Sequence, residues 1–240
     1  MTIERGLVDP DPEHRLLIVS PHADDEVLGC GGLIAKAIAD GAYVEIVYGG
    51  VGGSHPRHLD REPSTEERTR EIIAVQDILG FQRWSILHAG LELRLDTIPQ
   101  TEIIQALDAI IDVGRFTEVY FCYPSHHQDH QAIHDAVAAA LRPGAHPSVK
   151  LIALYEYVYP GWFQVTAAGG RMYVDISDVL ELKERAWDAY VSQQRPPPSP
   201  LANGVVRTVA MLRGLECCAQ YAELFHVLHV TRAWAWRSSV

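Results

Sequence analysis

Residues 16–32 read LLIVSPHADDEVLGCGG, and this stretch determines where the fold and its chemistry begin. The first four apolar residues are typical of a buried strand, and the glycine-rich end is typical of a helix start. Between them lie one imidazole, His22, and three carboxylates, Asp24, Asp25 and Glu26. Uncompensated charge beside a core is destabilising, so this cluster needs a positive partner. A divalent metal ion would be such a partner, which favours a metal-dependent enzyme over a binding scaffold.

The rest of the chain alternates between strand-like and helix-like segments. Strands are predicted at 16–20, 43–48, 84–88, 118–123, 150–158, 171–176 and 225–230. Helices are predicted at 28–40, 64–79, 99–113, 130–141, 178–192 and 203–216. This alternation implies βαβ units and a mainly parallel sheet in an α/β fold. We expect one domain over 1–240, because no repeat and no second core is evident, and a mobile loop at the glycine-rich run 49–53.

A second polar cluster follows the fourth predicted strand and reads SHHQDH at 125–130. Ligands of parallel sheets bind at the carboxyl ends of the strands. The first predicted strand ends at Ser20 and the fourth near Tyr123, each immediately before a polar cluster. We therefore expect the two clusters to meet at one edge of the sheet.

Three side chains from the two clusters can form a catalytic metal site: His22, Asp25 and His130. Catalytic zinc takes three nitrogen, sulfur or carboxylate ligands and keeps a position for water. His130 and His134 are spaced as a helical pair and offer a second, less complete set. Helix capping alone would explain a single carboxylate near the helix start but not the adjacent histidine as well.

The remaining polar residues of the clusters suggest catalytic roles. Asp24 would stay beside the metal and serve as a general base. His127 would protonate a leaving group or stabilise an oxyanion, and Asp129 would hold its tautomer. His126 and His134 are interpreted as cap or surface residues.

These motifs resemble those of the PIG-L/LmbE-like zinc-dependent N-deacetylases. Residues 20–32 resemble the first signature of that family, and 127–130, with the sequence HQDH, resemble the second. Further similar segments are 68–80, 173–176, Lys183, Tyr190, 192–193 and 221–225. The chain departs from the family pattern at Ala23, where proline is usual, and at Ser125, where aspartate is frequent. The metal set is intact.

The resemblance implies a Rossmann-like three-layer sandwich with a mainly parallel sheet, and hydrolysis of an N-acetyl group from an amino sugar or glycoconjugate. By motif position it implies zinc held by His22, Asp25 and His130. It also implies Asp24 as the base and Arg68 as a substrate contact. His127 would be the acid or the oxyanion stabiliser. Asp129 would support His127 and is the third residue with an implied catalytic role.

Other activities remain open at this point. A metal-dependent amidase acting on a thiol conjugate or another small amide would use the same residues. A non-catalytic carbohydrate- or nucleotide-binding module would have no use for a carboxylate beside a complete ligand set.

Composition limits the possible binding partners and the cellular compartment of the protein. The net charge of −11 over 240 residues argues against nucleic acid or an anionic membrane as the main partner. The four cysteines lack C-x-x-C spacing, and neither a signal peptide nor an apolar run of membrane-spanning length is evident. We therefore expect a cytoplasmic enzyme without a transmembrane segment. The aromatic residues Phe225, Trp234 and Trp236 are expected to be buried within the monomer, with a homo-oligomer contact as the alternative.

Overall fold

The computed structural model describes residues 14–54, 58–156 and 170–231. The strands are β1 (Arg15–Ser20), β2 (Tyr43–Val51), β3 (Arg83–Ala89), β4 (Glu118–Cys122), β5 (Leu151–Tyr155), β6 (Gly170–Asp175) and β7 (Ala222–Val230). The α-helices are α1 (Asp25–Ala39), α2 (Thr65–Leu79), α3 (Gln100–Gly114), α4 (Gln128–Ala140), α5 (Leu180–Ala189) and α6 (Val205–Cys217). Short 3-10 helices lie at Leu95–Thr97 and Val191–Gln193.

The seven described strands form one sheet in the order β3-β2-β1-β4-β5-β7-β6. Strands β1 to β5 pair in parallel, and β7 runs antiparallel to both β5 and β6. The helices fall into two groups, since α1, α2, α5 and α6 contact one another and α3 contacts α4. The predicted Rossmann-like α/β fold with a mainly parallel sheet is confirmed.

Strand β1 lies at the centre of the core. Its residues 16–19 are fully buried, as the apolar run predicts. β1 pairs with β2 on one side and β4 on the other, so the chain order reverses between β1 and β4. In open α/β sheets this reversal leaves a crevice at the carboxyl ends of the strands. The polar clusters that follow β1 and β4 therefore start side by side.

Two helices begin earlier than the sequence pattern predicts. Helix α1 begins at Asp25, so Asp25 and Glu26 lie in its first turn. Helix α4 begins at Gln128, with His127 as its N-cap residue. In both cases the first turn carries polar residues that the apolar periodicity does not register. The positive end of each helix thus points at the crevice.

The prediction of a loop over 49–53 is wrong for its first three residues. Gly49, Gly50 and Val51 belong to β2. A Cβ at Gly49 would lie 2.7 Å from Ile133 Cδ1, so the glycine is what allows α4 to pack this close to the strand. Gly52 and Gly53, just past the strand, adopt positive φ values of 73° and 81°.

A buried ion pair fastens the C-terminal part of the chain to the middle of α1. Lys183 Nζ lies 2.6 Å from Glu223 Oε1, and both side chains are almost fully buried. The Glu223 carboxylate accepts the backbone N–H groups of Gly32 and Leu33, and Lys183 donates to the carbonyl of Leu28. The pair therefore links α5 and β7 to the helix whose first residue is Asp25.

We expect Lys183→Met to lower the free energy of unfolding by about 3–5 kcal/mol, because it leaves the Glu223 carboxylate buried without its cation. Urea unfolding followed by circular dichroism measures this loss. Lys36→Met is the matched control, since Lys36 pairs with Asp178 at side-chain exposures of 32% and 68%. Such an exposed pair contributes about 0–1 kcal/mol. Equal, small losses in the two variants would contradict the assignment.

Candidate active site

The three predicted metal ligands converge at the carboxyl edge of β1 and β4. His22 lies in the turn after β1, Asp25 opens α1, and His130 lies in the first turn of α4. Each offers one ligand atom, and these atoms all lie within 4.8 Å of one another. Asp25 Oδ2 is 3.4 Å from His22 Nδ1 and 3.3 Å from His130 Nε2. Two imidazoles and a carboxylate are a donor set that suits zinc, so the residues present fit such an ion.

The surroundings of His22 favour a cation. Burial opposes a charge on this imidazole, yet the hydrogen bond to Asp129 and the nearby Asp25 carboxylate raise its pKa well above the usual value. The same carboxylates would stabilise a divalent metal ion in place of a proton.

A second group with metal-ligand spacing comprises His22, His127 and Asp129. Its carboxylate is already committed, because Asp129 accepts the backbone N–H groups of Leu93 at 2.7 Å and Leu95 at 3.0 Å. Asp129 Oδ2 also lies 2.8 Å from His22 Nε2. The first group is therefore better suited to an ion. His134, the alternative helical partner of His130, belongs to neither group among the described residues.

The Asp129 carboxylate orients a different histidine from the one predicted. We expected it to hold His127, but it contacts His22 Nε2 instead. Although burial opposes its charge, the hydrogen bond from His22 lowers the pKa of Asp129, so it is an ionised acceptor and Nε2 carries the proton. His22 Nδ1 then faces Asp25 and would be the ligand atom for a metal ion, whereas without an ion the raised pKa of His22 keeps Nδ1 protonated toward that carboxylate. Carboxylates that orient a metal-binding imidazole in this way also raise its basicity.

His127 is a neutral hydrogen-bond donor at the pocket. Its Nδ1 accepts the backbone N–H of Asp129 at 3.2 Å, so a neutral ring carries its proton on Nε2. Burial, with further contributions from His22 and His130, lowers the pKa of His127 to about 4. The ring centroids of His22 and His130 lie 5.1 Å and 4.9 Å from that of His127. The structure thus favours neutral imidazole over the protonated form at neutral pH.

Asp24 lies beside the metal-ligand group but outside it. It is buried, lines the same pocket, and makes no side-chain cap to α1. Burial and the neighbouring Asp25 carboxylate raise the pKa of Asp24 well above its usual value, while Arg68 opposes the shift. A carboxylate with a raised pKa is a stronger base, as a proton acceptor in catalysis requires.

Glu26 fixes the backbone on which Asp24 sits. It is fully buried and accepts the backbone N–H of Asp24 at 3.0 Å. The hydroxyl groups of Tyr48 and Tyr190 donate to the same carboxylate. Burial raises the pKa of Glu26 to about 7.

Arg68, predicted as a substrate contact, is fully buried and is absent from the described pocket lining. Its guanidinium donates to Glu71, to Ser192 Oγ and to the backbone carbonyl of Ala23. These bonds join α2 to the turn that carries Asp24. The structure therefore gives Arg68 a positioning contact, because Nη1 and Nη2 are bonded to Glu71, Ser192 and the carbonyl of Ala23, although Nε makes no hydrogen bond.

The pocket above the metal-ligand group draws on distant parts of the chain. Its lining comprises His22, Asp24, Asp25, Leu28, Ser54, Glu92, Leu93, His127, Gln193, Arg195 and Leu201. Sequence reasoning missed six of these: Ser54, Glu92, Leu93, Gln193, Arg195 and Leu201. Gln193 lies in a family-like segment, which was a usable signal. The others follow irregular loops and offered none.

The comparisons with known proteins agree with the site. The family described as PIG-L: GlcNAc-PI de-N-acetylase matches residues 17–141, just over half of the chain. This segment contains the residues of both motifs and the whole metal-ligand group. The chain belongs to this family of deacetylases, and its predicted family and enzyme class are confirmed.

Two characterised relatives act on N-acetylated sugars. The diacetylchitobiose deacetylase of Thermococcus kodakarensis is 28% identical over 232 residues, 87% of this chain and 81% of that protein. The 2'-N-acetylparomamine deacetylase of Streptomyces fradiae is 28% identical over 209 residues, 75% of this chain and 73% of that protein.

Solved structures share the fold. The N,N'-diacetylchitobiose deacetylase of Pyrococcus horikoshii superposes with a TM-score of 0.68 at 24% identity, covering 90% of this chain and 84% of that one. The 4-carboxy-2-hydroxymuconate hydratase of Pseudomonas putida KT2440 has a TM-score of 0.69 at 18% identity, covering 92% and 100%. Because the fold also carries a hydratase, the activity must be argued from the site. Within the described residues, each helix is too short or too polar to span a membrane.

We expect His130→Ala to lose most of the bound metal, because it removes one of three converging ligands from a buried site. Elemental analysis of the purified, zinc-loaded protein measures the loss. His134→Ala, one helical turn further along α4, is the matched control and should keep the wild-type metal content. Full occupancy in His130→Ala would refute the ligand assignment.

Proposed function

We propose that this protein is a zinc-dependent hydrolase that removes an N-acetyl group from an amino sugar or glycoconjugate. The observation that carries the proposal is the convergence of His22, Asp25 and His130 within 4.8 Å of one another, with Asp24 in the same pocket. The family match and the two sugar deacetylases support the same reaction class.

Zinc bound by these three residues would polarise the acetyl carbonyl and lower the pKa of water toward neutrality. Asp24 takes one proton from the attacking water, whose oxygen forms the new bond to the carbonyl carbon. Glu26 and Arg68 hold the N–H and the C=O of the peptide unit that joins Ala23 to Asp24, which keeps the Asp24 carboxylate in the pocket.

His127 donates its Nε2–H to the oxygen that gains negative charge at the tetrahedral stage. A neutral donor is sufficient for this role because it needs only an oriented N–H. The C–N bond then breaks, and the proton held by Asp24 passes to the departing nitrogen. The products are acetate and a free amino sugar.

We also propose that the chain forms a single deacetylase domain. The one sheet that contains all described strands supports this.

Oligomeric state and location in the cell are separate predictions. Phe225, offered as an oligomer contact, is fully buried within the described chain, whereas Trp234 and Trp236 lie outside the described residues. A homo-oligomer and a cytoplasmic location therefore remain predictions.

The test is an acetate-release screen across N-acetylated amino sugars, free and conjugated, with zinc and with a chelator. We expect zinc-dependent acetate release from at least one of them, and a loss of about 10²–10⁴-fold in kcat for Asp24→Asn with bound metal retained. Asp77→Asn, an exposed change on α2, is the matched control and should leave kcat unchanged.

Three results would contradict the proposal. Near-wild-type turnover in Asp24→Asn would remove its role as the base. Release of an acid other than acetate, from a thiol conjugate or another amide, would favour the alternative amidase. Sugar binding without metal-dependent turnover would favour the non-catalytic binding module.

We expect His127→Gln to keep part of the activity and His127→Phe to lose about 10²–10³-fold in kcat, because glutamine keeps an N–H donor near the position of Nε2. The pH profile of kcat/KM should rise as Asp24 loses its proton and show no fall between pH 5 and 7. A required imidazolium with a pKa of about 4 would instead cancel the rise while Asp24 titrates and make kcat/KM fall once Asp24 is ionised. Such a fall would overturn the neutral-donor role.

A further inference from the structure

Arg195 is unusual among the described arginines. Its side chain is partly buried, its Nε is fully buried, and its guanidinium makes no hydrogen bond or ion pair to any described residue. The other described arginines that are not exposed are Arg15, Arg68 and Arg213, and each donates to a carbonyl or carboxylate. Arg68 also has a buried Nε without a hydrogen bond, but only Arg195 combines this with a guanidinium that has no other described partner, so its donors are available to a group that enters the pocket.

The position of Arg195 is fixed by its own loop. Its backbone N–H donates to the carbonyl of Leu201 at 3.1 Å, which closes the proline-rich segment between them. Leu201 is almost fully buried and lines the same pocket as Arg195. The arginine is therefore presented on an anchored loop.

The charges around the pocket leave this arginine without a counterion. Three carboxylates line the described pocket, Asp24, Asp25 and Glu92, whereas Arg195 is its single arginine or lysine. No described carboxylate oxygen lies within ion-pair distance of Arg195. A net charge of −11 disfavours large polyanions, but a local cation can still bind a small anion.

We propose that Arg195 binds an oxyanion group of the substrate, a carboxylate or a phosphate carried by the N-acetylated sugar. The planar guanidinium matches both groups through paired N–H donors. The neighbouring Ser54 and Gln193 offer neutral polar groups suited to sugar hydroxyls. The inference rests on the proposed deacetylase function and adds its substrate class: acidic N-acetylated amino sugars.

The kinetic test compares neutral methyl N-acetylglucosaminide with N-acetylglucosamine 1-phosphate, N-acetylglucosamine 6-phosphate and N-acetylmuramic acid. We expect kcat/KM for at least one acidic sugar to exceed the neutral value by about 10- to 100-fold, the effect of a charged hydrogen bond. Arg195→Ala should abolish this ratio by lowering kcat/KM for the acidic sugar, and Arg195→Lys should keep part of the ratio. Comparison of the two sugar phosphates with N-acetylmuramic acid shows whether Arg195 prefers a phosphate or a carboxylate.

Arg185→Ala, an exposed change on α5 with the same loss of charge, is the control and should keep the wild-type ratio. A wild-type enzyme that prefers the neutral sugar, or an acidic preference that survives in Arg195→Ala, would overturn the inference. Neutral turnover that persists in those cases leaves the proposed function standing, so the two failures are distinguishable.

A binding measurement makes the test independent of turnover. Calorimetry on the zinc-loaded protein compares glucosamine with glucosamine 6-phosphate and with muramic acid. We expect at least one acidic ligand to bind about 10-fold or more tightly than glucosamine, and Arg195→Ala to remove the difference. Equal affinities in the wild-type protein would overturn the inference even if no substrate is hydrolysed.

Discussion

Buried negative charge at the carboxyl edge of β1 is the constraint on which the rest of the structure depends. Five carboxylates there are almost fully buried: Asp24, Asp25, Glu26, Glu92 and Asp129. A core tolerates such a cluster only if each member has its own partner. The partners of these carboxylates are backbone N–H groups, tyrosine hydroxyls, two imidazoles and one arginine. Asp25 faces the imidazoles of His22 and His130 at 3.4 Å and 3.3 Å, and a divalent ion between these three side chains would complete the balance.

The sequence predicted the parts of this arrangement that depend on local pattern. The apolar run of β1 implied a buried strand, and the alternation of elements implied a parallel sheet. Parallel strands end at one edge, so clusters as distant as His22 and His130 could be expected to meet. The family resemblance rested on those same two clusters. Their spacing is specific because few reactions need an imidazole and adjacent carboxylates beside a core.

The remaining features depend on contacts between segments that are far apart in the sequence. Nothing near Asp129 indicates that its carboxylate reaches His22 and the 93–95 backbone rather than His127. Similarly, the sequence pattern alone leaves open whether Arg68 on α2 is exposed to solvent. In the structure its guanidinium is buried and donates to Glu71 and to the Ala23 carbonyl. Gly49 looked like a loop residue because its role lies in the close approach of α4. Such pairings follow from tertiary packing, which local propensity does not encode.

The proposed catalytic residues and part of the pocket wall come from different segments of the chain, and this separation affects how substrate preference can change within the fold. The proposed metal ligands, Asp24 and His127 all lie within residues 17–141, the segment that matches the family. The pocket wall formed by Gln193, Arg195 and Leu201 lies beyond it, on a proline-rich segment that starts at the end of a 3-10 helix and has no α-helix or strand of its own. Substitutions in that loop can alter the pocket without disturbing the buried carboxylates, whereas substitutions near His22 cannot. A fold that keeps its charged centre on β1 and β4 and its selectivity on a surface loop can therefore acquire new substrates while retaining one reaction.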